Sequence, residues 1–184
     1  MFKNNFLAFL LFIFFILHSN ANEKELIISK LNSLESLKFA FKQKINDQLE
    51  QGICLLEFPG KLKCEYSDIG RKELIINKNK LAITKKKYNN TYHYPISESP
   101  FINILYKKEL LKMIYEGKLI EKDGFIKLIY INKNKIIVLF DSKNYDLKGW
   151  EILDDFNNKI VFNLDILSKN IIFDKDTFKI PEIN

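Results

Sequence analysis

The chain has 184 residues, 29 Lys plus Arg against 23 Asp plus Glu, and a formal charge of +6. That length suits one domain with a real core. Arg71 is the single arginine, and bidentate recognition of phosphate or bases favours arginine, so the charge does not point to nucleic acid.

Lys3 precedes an unbroken apolar run from Phe6 to Leu17. Roughly a dozen residues fit the ~7–15 of a signal-peptide core and fall short of the ~20 a spanning helix needs. Ser19-Asn20-Ala21 supplies small residues at −3 and −1. We expect residues 1–21 to be a signal peptide and 22–184 to be one exported domain. Losing Lys3 leaves 28 basic against 23 acidic residues, or +5.

Residues 23–36 place Leu26, Ile27, Lys30, Leu31 and Leu34 at helical spacing. From Leu37 the period switches to two, with Phe39 and Phe41 against Lys38 and Lys42. A hairpin follows at 52–66. Cys54, Leu56, Phe58, Leu62, Cys64 and Tyr66 alternate with Glu57, Lys61, Lys63 and Glu65, with Leu55 the exception. One shared face requires an odd loop. Phe58-Pro59-Gly60 as a three-residue loop sets Cys54 opposite Cys64. Export favours a Cys54–Cys64 disulfide; two buried, reduced thiols are the alternative. The spacing suits neither a redox C-x-x-C nor a zinc site.

Further strands are predicted at 73–77 and 80–84, joined across Lys78-Asn79, and then around Tyr88, Tyr92 and Tyr94. Lys85-Lys86-Lys87 reads as a solvated turn. Residues 96–116 read as two short helices broken near 106–108. Ser97 or Ser99 is the expected cap, with Pro100 in the first turn. Phe101, Ile104, Leu105, Leu110, Leu111, Ile114 and Tyr115 form the apolar stripes, and Gly117 ends the helix. Everything after Gly117 reads as strand. Asp123-Gly124 marks a hairpin, Asn157-Asn158 another, and a last segment carries Ile172 and Phe178. The fold class is α+β: one large, curved antiparallel sheet with an N-terminal helix and a mid-chain helical insertion. Strands 125–131 and 135–140 are apolar on nearly every residue, so both their faces are expected to be covered. A sheet closed by a helical plug accommodates either a fully packed core or an apolar hollow.

Catalytic patterns are sparse. The expected mature chain has one histidine, His93, between Tyr92 and Tyr94. There is no G-x-S-x-G and no H-E-x-x-H. Asp154-Asp155 and Asp174/Asp176 read as turn and capping carboxylates. No enzyme, cofactor or metal site is expected.

Several stretches resemble the LolA family of periplasmic lipoprotein carriers. Phe41-Lys42-Gln43 is similar to the family's F-x-Q strand. Residues 52–62 are similar to G-x-L-x-L-x-R-P-G-K-L, and Cys64-Glu65-Tyr66 falls where the family has an aromatic residue, Glu and Tyr. Tyr94-Pro95-Ile96, Ser99-Pro100, residues 139–141, Trp150-Glu151-Ile152-Leu153-Asp154 and Phe178-Lys179-Ile180-Pro181 follow in the family's order. The resemblance implies an open half-barrel with a lid of helices over an apolar cavity. It implies transfer of lipoproteins, without chemistry, from an inner-membrane exporter to an outer-membrane acceptor, by a monomer. It places Phe39, Phe41, Leu56, Phe58, Leu62 and Tyr66 on the sheet wall and Phe101, Ile104, Leu105, Leu111 and Ile114 on the lid, all in contact with acyl chains. Phe58 replaces the family's arginine, which ties the sheet to the lid, so that polar latch is expected to be missing. The other reading is a periplasmic lipid-sensing or regulatory binding domain on the same half-barrel.

Overall fold

The computed structural model describes residues 23–96, 100–132, 134–153 and 158–182. The expected signal peptide, the caps Ser97 and Ser99, the carboxylates Asp154 and Asp155, and Asn157 lie outside them. Helix α1 spans 23–32. The first run of strands is β1 (Ser36–Ile45), β2 (Gln48–Glu57), β3 (Lys61–Tyr66), β4 (Lys72–Asn77), β5 (Lys80–Lys85) and β6 (Asn90–Pro95). A 3-10 turn at Pro100–Ile104 and helix α2 (Lys107–Glu116) come next. The second run is β7 (Lys118–Lys122), β8 (Phe125–Ile131), β9 (Lys135–Asp141), β10 (Leu147–Leu153) and β11 (Lys159–Lys169).

All eleven strands join one sheet in the order β6-β5-β4-β3-β2-β1-β11-β10-β9-β8-β7. The fold is thus two antiparallel meanders zipped together along β1 and β11, from Leu37↔Lys169 to Ile45↔Ile160. This order has a topological consequence. The segment between β6 and β7 joins the two outer edges of the sheet. It must therefore cross the open face, and the break in period after Pro95 is where the chain makes that crossing.

The sheet curls. Leu74 on β4 and Trp150 on β10 line one cleft, yet five inter-strand spacings separate those strands. A flat sheet would hold them about 24 Å apart at ~4.8 Å per spacing. Curling brings them across from each other and gives the sheet an inner face. α1 buries Ile27 and Leu31, and the residue Leu34 just after it, in the same core as that face, while Leu26 stays half-exposed.

Two expectations are corrected. The second face of β8 and β9 is covered only in part: Leu139 is buried there, but the ends of β8 are not. Ile126, Leu128 and Tyr130 are buried, but Phe125 is exposed and Ile131 is 72% exposed. Branched and aromatic residues suit a pleated surface whether or not a second layer covers it, so an Ile-rich strand does not reveal its second face. The last segment is not a strand either. Past Asn170 the chain turns, with the Thr177 N–H donating to Asp174 O and the Lys179 N–H to Asp176 O. Side chains tie it down: Ser36 Oγ donates to Ile171 O (2.6 Å) and Asn77 Nδ2 to Phe178 O (3.1 Å). Phe178 is buried while Ile172 points to solvent.

Candidate functional site

Strand register builds the inner face in rows. One row runs Leu37, Leu56, Leu62, Ile76, Leu81, Tyr94. The next runs Phe39, Cys54, Cys64, Leu74, Ile83, Tyr92. A third sets Phe41, Gly52 and Tyr66 side by side. The hairpin loop is Phe58-Pro59-Gly60, with Glu57 paired to Lys61, as the alternation requires. Cys54 and Cys64 are directly opposed, with Cα atoms 4.1 Å apart, and form a disulfide. Both cysteines are buried.

Gly52 has a specific task in the third row. A Cβ there would lie 2.0 Å from the Glu65 carbonyl oxygen and 2.9 Å from the Phe41 ring. Its absence lets Phe41 reach across β2 and meet Tyr66 edge-on, with centroids 5.0 Å apart. Phe41 also stacks on Phe162 at 5.0 Å, and Phe162 stacks on Trp150 at 4.2 Å. Four rings therefore pave the inner face from β3 to β10. Offset and edge-on pairs of this kind add to the burial each ring already supplies.

The lid packs onto the rows. Ile104, Leu105, Leu110, Met113 and Ile114 are buried in one cluster with Phe39, Phe41, Leu56, Phe58 and Leu62. Leu111 and Tyr66 are partly buried against that cluster. What the lid leaves unfilled is a cleft of about 150 Å³ lined by Leu62, Cys64, Leu74, Ile152, Ile160, Gln43 and three of the paving rings. Two wider grooves, of about 220 and 250 Å³, include Lys42, Asn163 and Asp165 in one case and Lys135, Glu151 and Lys159 in the other. Those side chains alternate with the inner-face residues and so lie on the outer face, away from the lid.

The missing arginine does not leave the lid unlatched. The Gly60 N–H donates to the Leu105 carbonyl at 2.8 Å, and the Lys78 N–H donates to the Gly60 carbonyl at 2.9 Å. One residue of the hairpin loop thus ties the lid to the sheet. Gly60 has φ +72°, and an added Cβ would lie 2.6 Å from the Tyr106 hydroxyl. Lys107 at the start of α2 adds a second tie. Its Nζ donates to Glu35 Oε1 at 2.8 Å and to Asn32 O at 3.4 Å, and sits 5.7 Å from the Phe58 ring centroid. Phe58, 8% exposed, is held under this cation while its own N–H donates to Glu35 O at 3.0 Å.

The sheet residues named from sequence therefore share one face, and Ile104, Leu105, Leu111 and Ile114 meet them from the lid. The Phe101 side chain lies outside the described residues. Sequence reasoning missed Trp150, Ile152, Phe162 and Leu74, which line the cleft, and Met113 on the lid. The signal was present: Trp150 and Ile152 alternate with Glu151, and Phe162 and Leu164 with Asn163 and Asp165. Which face that alternation served needed the β10–β11 register, Trp150↔Phe162.

His93 sits on edge strand β6 opposite Ala82, on the outer face, and its Nε2 is buried without a hydrogen-bond partner among the described residues. No three metal-ligating side chains converge among the described residues. Burial, reinforced by the charges of Glu50 and Asp68, pushes the Tyr66 phenol above its ordinary range, so it remains an O–H donor at neutral pH.

Residues 32–181 match the family described as outer membrane lipoprotein carrier protein LolA. The chain is 25% identical over 121 residues to an outer-membrane lipoprotein carrier protein of Campylobacter jejuni, covering 62% of this chain and 60% of that relative. The chain thus spans about 60% of the length of the curated relative it matches. Among solved structures, an uncharacterized conserved protein from Thermus thermophilus superposes with a TM-score of 0.55 at 9% identity, over 88% of this chain and 94% of that one. A LolA superfamily protein from Nitrosomonas europaea superposes with a TM-score of 0.42 at 8% identity, over 83% and 96%.

Proposed function

Given that this chain belongs to the LolA family of outer membrane lipoprotein carriers, we propose that it is a periplasmic carrier that shelters lipoprotein acyl chains between its inner face and its lid. It would be exported by residues 1–21, take cargo from an inner-membrane exporter and give it to an acceptor at the outer membrane. The observation that carries the reading is the ring-paved cleft, whose lining residues Leu62, Cys64, Trp150, Ile152 and Phe162 belong to the same apolar cluster as the buried lid residues. Methylenes entering that seam leave water, worth about 0.8 kcal/mol each. Nothing in this role asks for a nucleophile, a base or a metal. The wall residues supply apolar contact, and the lid supplies the motion that admits and releases cargo.

Trp150 is the single tryptophan and lines the cleft, so the test is direct. Acyl chains brominated near their ends should quench its emission, and unbrominated chains should compete the quenching away. Mass spectrometry of protein purified from a periplasm should find bound lipoprotein or lipid. Unquenched Trp150 at saturating fatty acid would rule the carrier reading out.

A further inference from the structure

The apolar lining of the cleft ends at a polar cluster that the carrier reading does not use. Gln43 pairs in register with Glu50 on the inner face, and its Nε2 lies 3.4 Å from Glu50 Oε2. Lys72 Nζ pairs with the other oxygen, Glu50 Oε1. The same Nζ sits 3.8 Å from the centroid of the Tyr66 ring. Gln43 and Tyr66 both line the cleft, so the cluster stands at its end rather than apart from it. The Lys72 and Glu50 side chains are only 20% and 28% exposed.

Charge is what this cluster can discriminate. Glu50 and Lys72 cancel. Around them stand Lys85, paired in register with Lys72, and Asp68, which accepts from the Lys72 backbone N–H at 2.9 Å. An anionic head brought to Lys72 meets the Glu50 carboxylate in the same place, and serving it would mean breaking a half-desolvated pair and leaving Glu50 uncompensated. An uncharged head has no such conflict. Lys72 and the Gln43 amide keep N–H groups to donate, and the Gln43 carbonyl and Glu50 keep lone pairs to accept. Ester and amide groups fit that inventory.

Resting on the acyl-carrier reading, we propose that Gln43, Glu50 and Lys72 form a head-group site that selects acyl chains bearing an uncharged ester or amide head over those bearing a phosphate. An acylated peptide terminus and a glyceride both meet this description. Titrations of Trp150 emission with 1-lauroylglycerol, N-lauroylglycinamide and dodecyl phosphate, each below its critical micelle concentration, test it. The uncharged probes should bind at least ~10-fold more tightly than the phosphate, because like-charge juxtaposition is strongly disfavoured. Glu50→Gln leaves Lys72 as a lone cation and should erase or invert that preference. Lys72→Met should deepen it, and decides the matter alongside the wild-type ratio if Glu50→Gln does not fold. Tighter binding of the glycinamide points to a peptide source and of the lauroylglycerol to a glyceride; either supports an uncharged head. A probe preference that is absent in the wild type, or identical in wild type and Glu50→Gln, overturns the inference and leaves the acyl site standing. No response to any probe removes both.

Discussion

Phe58 stands where the resemblance places an arginine, and its removal should loosen the lid without unfolding the sheet. Burying a phenylalanine side chain stabilises by about 1.5–3 kcal/mol, and a cation over its face adds ~0.5–1 kcal/mol at a partly exposed site. Phe58→Ala therefore removes roughly 2–4 kcal/mol, but part of that belongs to contacts within the sheet that survive opening. If half falls on the lid, the closed state loses ~1–2 kcal/mol, a factor of about 5–30 in the lid equilibrium. Stopped-flow mixing with a fatty acid, followed through Trp150, should show faster binding and faster release for Phe58→Ala. Lys107→Met keeps the aliphatic stem and loses the cation. It should have a smaller effect, and the double variant should fall short of the sum by the ~0.5–1 kcal/mol coupling of cation and ring. Rates identical to wild type in Phe58→Ala would show that the ring is no part of the latch and that the Gly60–Leu105 hydrogen bond carries closure without it.

Gly60→Ala should open the lid by a different route. A left-handed φ costs an L-residue about 1–2 kcal/mol, and the new methyl would collide with Tyr106. Limited proteolysis should cleave near 100–116 sooner, and Tyr106→Ala should relieve the collision but not the backbone strain. Reducing the Cys54–Cys64 bridge should cost about 2–3 kcal/mol in denaturant unfolding, because the loop it closes is short; a loss near zero would mean that pairing of β2 with β3 already constrains the unfolded chain. Glu73 is the carboxylate to watch at acid pH. Burial raises its pKa, but the Lys86 hydrogen bond and the charges of Lys63 and Lys86 outweigh that and hold it below the ordinary value. A depressed folded-state pKa means stability that is present above the ordinary carboxylate range and lost as pH falls through the folded value. Glu73→Gln should therefore flatten the stability–pH curve below about pH 4, and an unchanged acid limb would refute the assignment.

The sheet was legible because its strands announce themselves twice, by alternation and by turn residues. The hairpin loop at 58–60, the turn at Lys78-Asn79 and the Asp123-Gly124 turn all follow from local chemistry. The direct opposition of Cys54 and Cys64 followed from parity together with a turn placed at Phe58-Pro59-Gly60. Pairings between distant segments are another matter. That β1 zips to β11, and that Trp150 and Phe162 therefore pave the same floor as Phe41, depends on contacts more than a hundred residues apart in sequence, about which period-two patterns are silent. Part of the latch was out of reach for a related reason. Phe58 and Lys107 form one tie between sheet and lid, but the Gly60 N–H supplies another, and a backbone donor leaves no trace in residue type. Strands β8 and β9 show the limit of composition, since on one and the same face Leu139 is buried while Phe125 and Ile131 are exposed.

The closed lid also bears on how a carrier with this interior lets go. A cleft of about 150 Å³ holds little of a lipoprotein's acyl load, so under the proposed function cargo enters by displacing the lid side chains that now fill the seam. Loading then exchanges one apolar cover for another, and affinity is the difference between the two. This makes an unusual prediction for Met113, which is buried on α2 and which sequence reasoning passed over. Met113→Ala weakens the closed, empty state by roughly 2–5 kcal/mol if the site does not collapse. In the loaded state an acyl chain can fill part of the space the side chain vacates, so the loss there is smaller. Acyl affinity should rise while thermal stability of the empty protein falls. Trp150 titrations set beside melting curves separate the two effects. Binding that weakens in step with stability would mean that the lid does not compete with cargo, and that acyl chains are held beside a lid that stays shut.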